Sequence, residues 1–301
     1  MSRSVNFAGA ICSGLLCATP VAVAQHAGFV LFGEPSSEAA AQTPEQRFVH
    51  PITDPYFHED SFVTSDVRAW YIYHNFPDDN IGGGDANLFA VQLRLALTDQ
   101  IQFVAYKDGY LDFGSGLVND DGWMDIGAGV KWNFLQKWDE QLHAAVGAGY
   151  EIAAGNGSIL QNDDEWRLWA SINKGFDELH LGATANLFIA DDEDSGLGNS
   201  DHASWHLHAD YWVCDWFSPV AEINGYHVLN EGFDPLPFQG IDVANLGGQS
   251  DEAVITYGIG AEVRPFGDDA DVALRGAFEG PITSGDDLYG YRLTFSLVWS
   301  F

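Results

Sequence analysis

The sequence predicts an all-β fold: a transmembrane, antiparallel, up-and-down β-barrel of about twelve strands, preceded by a signal peptide. Three observations predict it. Hydrophobicity alternates with period two in twelve stretches, at residues 65–76, 86–98, 101–113, 123–135, 141–153, 165–176, 179–190, 202–213, 216–228, 252–264, 271–280 and 289–301. Most of these exceed the about 5–6 residues of an ordinary globular strand and match the about 9–11 that a tilted strand needs to cross a bilayer. The connections also alternate, tight after every even stretch and long after every odd one, which is the loop asymmetry of an outer-membrane barrel. A soluble β-sandwich buries apolar faces equally well but gives no reason for that asymmetry.

Residues 1–24 read as the signal peptide. Arg3 supplies a basic start, 7–17 (FAGAICSGLLC) an apolar core, and Ala22 and Ala24 the small-x-small pattern before cleavage. Leu16 is not the small residue that a lipidation signal wants before Cys17, so no lipid anchor is expected. Losing Cys12 and Cys17 leaves Cys214 alone, which avoids mispairing in an oxidising compartment. Residues 25–64 follow, with Pro35, Pro44, Pro51 and Pro55 and no useful period-two run. Their first reading is a partly disordered periplasmic segment. The second is a partial plug folded into the barrel mouth through 51–62 (PITDPYFHEDSF).

The barrel spans 65–301. Its faces separate cleanly: Phe89, Val91, Leu93 and Leu95 oppose Ala90, Gln92, Arg94 and Ala96, and Trp205, Leu207, Ala209 and Tyr211 oppose His206, His208 and Asp210. An even number of strands closes the sheet and leaves no backbone edge unpaired in lipid. Trp123, Trp132, Trp138, Trp166, Tyr211, Trp216, Tyr289 and Trp299 lie near strand ends, where amphipathic rings favour the membrane interfaces. The last stretch, 293–301 (LTFSLVWSF), alternates and ends on Phe301. It resembles the terminal signal read by the bacterial outer-membrane assembly machinery, which becomes an expected partner alongside outer-membrane lipid.

Parity sends Arg94, Lys131, Arg167, Arg264, Arg275 and Arg292 into the lumen, with Arg68 beside them although its stretch is apolar on both faces. It also sends in Asp108, Asp112, Asp125, Glu151, Asp210, Glu222, Glu262 and Glu279. A lipid-facing Arg or Lys at mid-bilayer costs about 2–4 kcal/mol, so charges belong inside. Two readings stand: a salt-bridge network that stiffens a narrow barrel, or a track of guanidinium groups that guides a small anion. His202, His206, His208 and Asp210 share one strand face. They read as a hydrogen-bonded cluster. The alternative, a transition-metal site, needs ligands from neighbouring strands that the sequence does not supply, so neither a metal nor a cofactor is expected. If these His titrate near neutral pH they gate the pore, and conductance changes between pH 5 and 8.

A net charge of −32 argues against nucleic acid as a partner. The long loops carry acidic groups, densest at 191–194 (DDED) and 163–165 (DDE), and no Lys or Arg; they read as a solvated outer surface, with divalent cations bridging to lipid phosphates as an alternative. A lipid-acting enzyme needs a nucleophile and a base together on a lipid-accessible face. The outward faces are apolar apart from His227, and Asp201 and His202, being adjacent, point to opposite sides. No enzyme is expected.

The stretches 64–77 (TSDVRAWYIYHNFP), 82–85 (GGGD), 93–99 (LRLALTD), 107–112 (KDGYLD) and 121–125 (DGWMD) resemble a transporter-like family of bacterial outer-membrane barrels, grouped with the outer-membrane proteins of the phenol-degradation meta-pathway. The similarity covers roughly residues 47–301 and implies an outer-membrane channel or transporter in a Gram-negative cell. With twelve strands the bore is narrower than that of the 16–18-stranded porins. Selection of small polar, anionic or aromatic solutes by a few lumen side chains is then the expected function. A structural barrel with a filled lumen is the alternative, ahead of a lipid-acting enzyme.

Overall fold

The computed structural model describes residues 28–78, 82–116, 119–156, 164–191, 200–231, 253–267, 271–283 and 290–301. The signal peptide at 1–24, Cys12, Cys17, Tyr289 and most of the acidic groups at 163–165 and 191–194 lie outside them.

Twelve antiparallel strands close into a barrel: β1 (Asp66–Phe76), β2 (Gly84–Ala96), β3 (Ile101–Lys107, continued by Tyr110–Ser115), β4 (Asn119–Trp123, continued by Ile126–Lys137), β5 (Leu142–Ile152), β6 (Glu165–Phe176), β7 (Leu179–Ala190), β8 (Asp201–Tyr211), β9 (Phe217–Asn230), β10 (Val254–Val263), β11 (Val272–Pro281) and β12 (Tyr291–Ser300). Each strand pairs with its sequence neighbours. β1 also pairs with β12, from Asp66↔Ser300 to Asn75↔Tyr291, and this closure leaves no edge. The tight turns sit where the sequence puts them. The turn at Asp177-Glu178 is two residues long, and Asp177 adopts φ +56°, a left-handed conformation that Asp tolerates.

Alternation sorts the surface. Val91, Val130, Val146, Leu168, Ile172, Leu181, Leu207, Ile259 and Leu297 are exposed on the outside, whereas Arg94, Lys131, Arg167, His206, Glu222 and Arg292 are buried within. Such an apolar belt is far larger than a water-soluble monomer tolerates and suits a hydrocarbon surround. Trp123, Trp132, Trp166, Tyr211, Trp216 and Trp299 are exposed on this outer surface. Trp138 departs from the expected girdle: it is buried against Phe62 and His143, because the N-terminal segment lies over it.

Two expectations for β3 and β4 are corrected. The loop expected near 114–122 is shorter, since β3 runs to Ser115 and β4 starts at Asn119. Moreover, β3 carries a bulge against β4 between Ala105 and Lys107, so Tyr106 and Lys107 both turn inward. One extra residue flips every later side chain. Leu111 and Phe113 are therefore buried inside and Asp112 is exposed, while Asp108 is half-exposed and accepts the Val91 N–H at 3.0 Å.

Residues 47–65 are enclosed by the barrel, where the weak periodicity of 25–64 first suggests a disordered tail. Residues 29–32 hydrogen-bond along the tight-turn end, Phe29 N–H to Phe301 O and Leu31 N–H to Ala96 O. Short 3-10 turns at Ala39–Ala41 and Pro44–Gln46 follow. Beyond them 47–65 are buried, apart from half-buried His50. The chain turns back at Asp54 (φ +51°), whose carbonyl accepts the His58 N–H at 3.0 Å, and descends into β1.

Candidate functional site

The interior is filled at three levels. Toward the long-loop end, Tyr56 and Phe57 of the segment join Trp70, Ile72, Phe76, Leu88, Leu111, Phe113, Phe188 and Val254 in one apolar cluster. Near the tight-turn end, Phe48 and Phe62 pack with Ala39 and Trp138, and Val49 and Ile52 pack with Val220 and Ala277. Between them lies a band of charged and polar groups, and most of the lumen residues expected from parity are in it.

The segment supplies the centre of that band. Glu59 accepts from Arg94 Nη2 at 2.7 Å and from Lys131 Nζ at 2.9 Å, and Asp60 lies 3.5 Å from Lys131 and pairs with His50. Burial raises the Glu59 carboxyl, but Arg94 and Lys131 outweigh it and hold it at about 2. Asp60 is likewise held well below the usual carboxylate range: burial pushes up, and His50 and Lys131 push down harder. Burial drives His58 down to about 4, and its ring stacks on His206 at 4.9 Å.

The other side of the barrel grips the segment's backbone. Glu222 accepts the Ile52 N–H at 3.0 Å and the Thr53 N–H at 2.7 Å, and Asp210 accepts the Val49 N–H at 3.1 Å. Both carboxylates are positioned by His208, at 2.6 Å from Glu222 and 3.1 Å from Asp210, and His180 holds the second Asp210 oxygen at 2.6 Å. His206 bridges Asn224 at 2.8 Å and Ser204 at 2.9 Å. His202 packs face to face on Phe188 at 4.1 Å instead of joining the other two His. Of the four residues that share a strand face, His208 and Asp210 are thus bonded to each other, while His206 and His202 have partners of their own.

The remaining expected cations pair within the wall. Arg68 meets Asp66 at 2.6 Å, Arg292 meets Glu279 at 2.6 Å, and Arg275 meets Glu262 at 2.8 Å. Arg264 follows the end of β10 and is only half-buried, at the rim, 3.0 Å from Glu262. Glu151 pairs with Lys107, which the bulge turned inward. Asp125 is buried and accepts the Gly155 N–H at 2.8 Å. Phe301 bonds the Ser65 carbonyl through its N–H at 3.0 Å and stands 6.2 Å from the Phe29 ring, at the base of the segment.

Sequence parity misses Glu59, Asp60, His58 and Arg47, which all belong to the segment. Arg47 reaches Glu262 at 2.6 Å. The signal that was present is the run His58-Glu59-Asp60 inside a stretch rich in aromatics and proline: charges too dense for a core and too interleaved with rings for a solvated tail. Lys107 is missed because a bulge leaves no mark on the hydrophobic pattern.

A search among solved structures gives matches to barrels of this kind. The crystal structure of an outer-membrane channel from Pseudomonas putida F1 aligns with TM-score 0.62 at 13% identity, over 84% of this chain and 100% of that one. The likeness is one of fold. The NanC porin (TM-score 0.48, 11% identity, 79% of this chain and 98% of that one) and the KdgM porin (0.46, 8%, 78% and 99%) align more loosely. No family model matches the sequence, and no curated protein matches it.

Proposed function

We propose that this chain is an outer-membrane channel or transporter for small polar, anionic or aromatic solutes, with residues 47–65 as its gate. One observation carries the reading. The material that fills the polar band is a separate length of chain, held there by ion pairs and hydrogen bonds through Glu59, Asp60, Glu222 and Asp210. Polar and ionic contacts of this kind exchange for water once solvent enters, and the backbone pairing of the wall does not depend on them, so the segment can leave while the sheet stays closed. The likeness in fold to the Pseudomonas putida channel supports the reading, although fold alone does not set function. The resemblance to the phenol-degradation meta-pathway outer-membrane proteins supports aromatic solutes within the proposed range.

A second reading, a structural barrel with a filled lumen, is favoured by the apolar cluster that packs the interior toward the long-loop end. Single-channel recording from the full chain in a planar bilayer separates the two. A channel gives discrete openings, with ion selectivity read from the reversal potential in a salt gradient. A filled barrel inserts and stays silent.

A further inference from the structure

The interior cations described above each meet a carboxylate, with one exception among the described residues. Arg167, fully buried on β6, has none within ion-pairing distance. Its guanidinium instead grips two successive peptide carbonyls of the segment, Nη1 to Tyr56 O at 2.7 Å and Nη2 to Phe57 O at 2.9 Å. Asn186 Oδ1 takes the other edge, 3.1 Å from Nε and 2.8 Å from Nη2. Three rings surround the charge: Tyr106 at 4.7 Å, Trp169 at 4.8 Å and Phe188 at 5.6 Å. Two of those rings carry buried donors with no acceptor, Tyr106 Oη and Trp169 Nε1.

A guanidinium fork against two oxygens is the geometry that takes a carboxylate bidentately. Carbonyl dipoles fill that geometry without neutralising the charge, and a buried unpaired charge is costly. The flanking rings give flat apolar walls, and their idle donors hold hydrogen bonds in reserve. We propose that Arg167 is the binding site for a small carboxylate with a flat apolar body, and that the 56–57 peptide occupies it as a stand-in. The proposal rests on the channel reading: a ligand that takes Arg167 displaces Tyr56 and Phe57, and with them the segment that fills the lumen.

The test uses the full chain with three probes, sodium benzoate, benzyl alcohol and sodium acetate. Binding is measured by calorimetry and openings are recorded in planar bilayers. Benzoate is expected to bind at least tenfold tighter than either of the others, since one lacks the charge and the other the ring. Arg167→Lys, which keeps the charge and loses the fork, is expected to weaken benzoate at least tenfold and to leave benzyl alcohol within twofold. Tyr106→Phe, which keeps the ring, is expected to weaken benzoate by a smaller factor. Equal affinity for benzoate and benzyl alcohol in the unaltered chain overturns the site, whether or not Arg167→Lys folds; so does an Arg167→Lys chain that binds benzoate as the parent does. Benzoate binding that depends on Arg167 in a chain that never opens keeps the site and removes the channel reading. Openings without any preference for benzoate do the reverse.

Discussion

Glu59 answers two cations from strands either side of β3, Arg94 on β2 and Lys131 on β4, and its own carbonyl accepts Ser171 Oγ at 2.6 Å. Removing its charge strands Arg94 in a dry interior and leaves Lys131 with Asp60 alone at 3.5 Å, and loss of a buried partner typically costs about 3–5 kcal/mol. Glu59→Gln is therefore expected to free the segment well before the barrel unfolds, read as faster hydrogen exchange of amides 48–62 with wall amides unchanged. Acid acts on the same residues in two stages. His58 sits at about 4 against an ordinary 6.5, so its stabilising contribution is whole above pH 6.5 and drains as pH falls toward 4. Glu59 sits at about 2 against an ordinary 4.5, so its contribution is whole above pH 4.5 and drains toward pH 2. Exchange of amides 48–62, corrected for intrinsic rate, is expected to rise in both windows, and His58→Gln is expected to shrink the first, leaving the part due to His50. Protection that stays constant from pH 7 to pH 3 contradicts this.

Strands were legible in the sequence because period two fixes both the element and its face. Once Arg94 is inside, Leu93 and Leu95 must be outside, and the pairing Leu93↔Ala105 then orients β3. That logic fails where the count slips. The bulge at Tyr106–Lys107 adds one residue and sends Asp112 outward, against parity. It also fails for 47–65, which has no period of its own. That segment is placed by contacts such as Thr53 to Glu222 and Ser61 to Asn173, across long sequence separations that no local pattern encodes. The wall itself gives a direct check on face assignment. Ile172 faces out on β6 and its neighbour Ser171 faces in. Ile172→Lys is expected to cost about 2–4 kcal/mol if it lies near mid-bilayer, and Ser171→Ala about 1 kcal/mol for one lost hydrogen bond. Urea unfolding in liposomes measures both, and the reverse ranking contradicts the facing. Close packing inside the wall adds a third case. A Cβ at Gly147 would enter the Trp169 ring, so Gly147→Val is expected to destabilise by about 1–3 kcal/mol through overpacking.

At the scale of the whole molecule, the barrel has two components: a closed sheet with an apolar outside, and a length of its own chain that neutralises and fills the inside. The sheet needs no help from the segment to pair its backbone, since β1 closes on β12. The segment, by contrast, has no hydrogen-bonded ladder and depends on the wall for its partners. On the proposed function, movement of this segment opens the barrel, and a tether tests it. Thr53 Oγ1 and Asn224 Nδ2 lie 3.0 Å apart, one on the segment and one on β9. Cysteines at these two positions, oxidised to a disulfide, would hold the segment in place. Single-channel recording of the tethered chain before and after reduction is the measurement. Silence is expected while the tether is closed, and openings once it is reduced. Equal open probability in both states would contradict it.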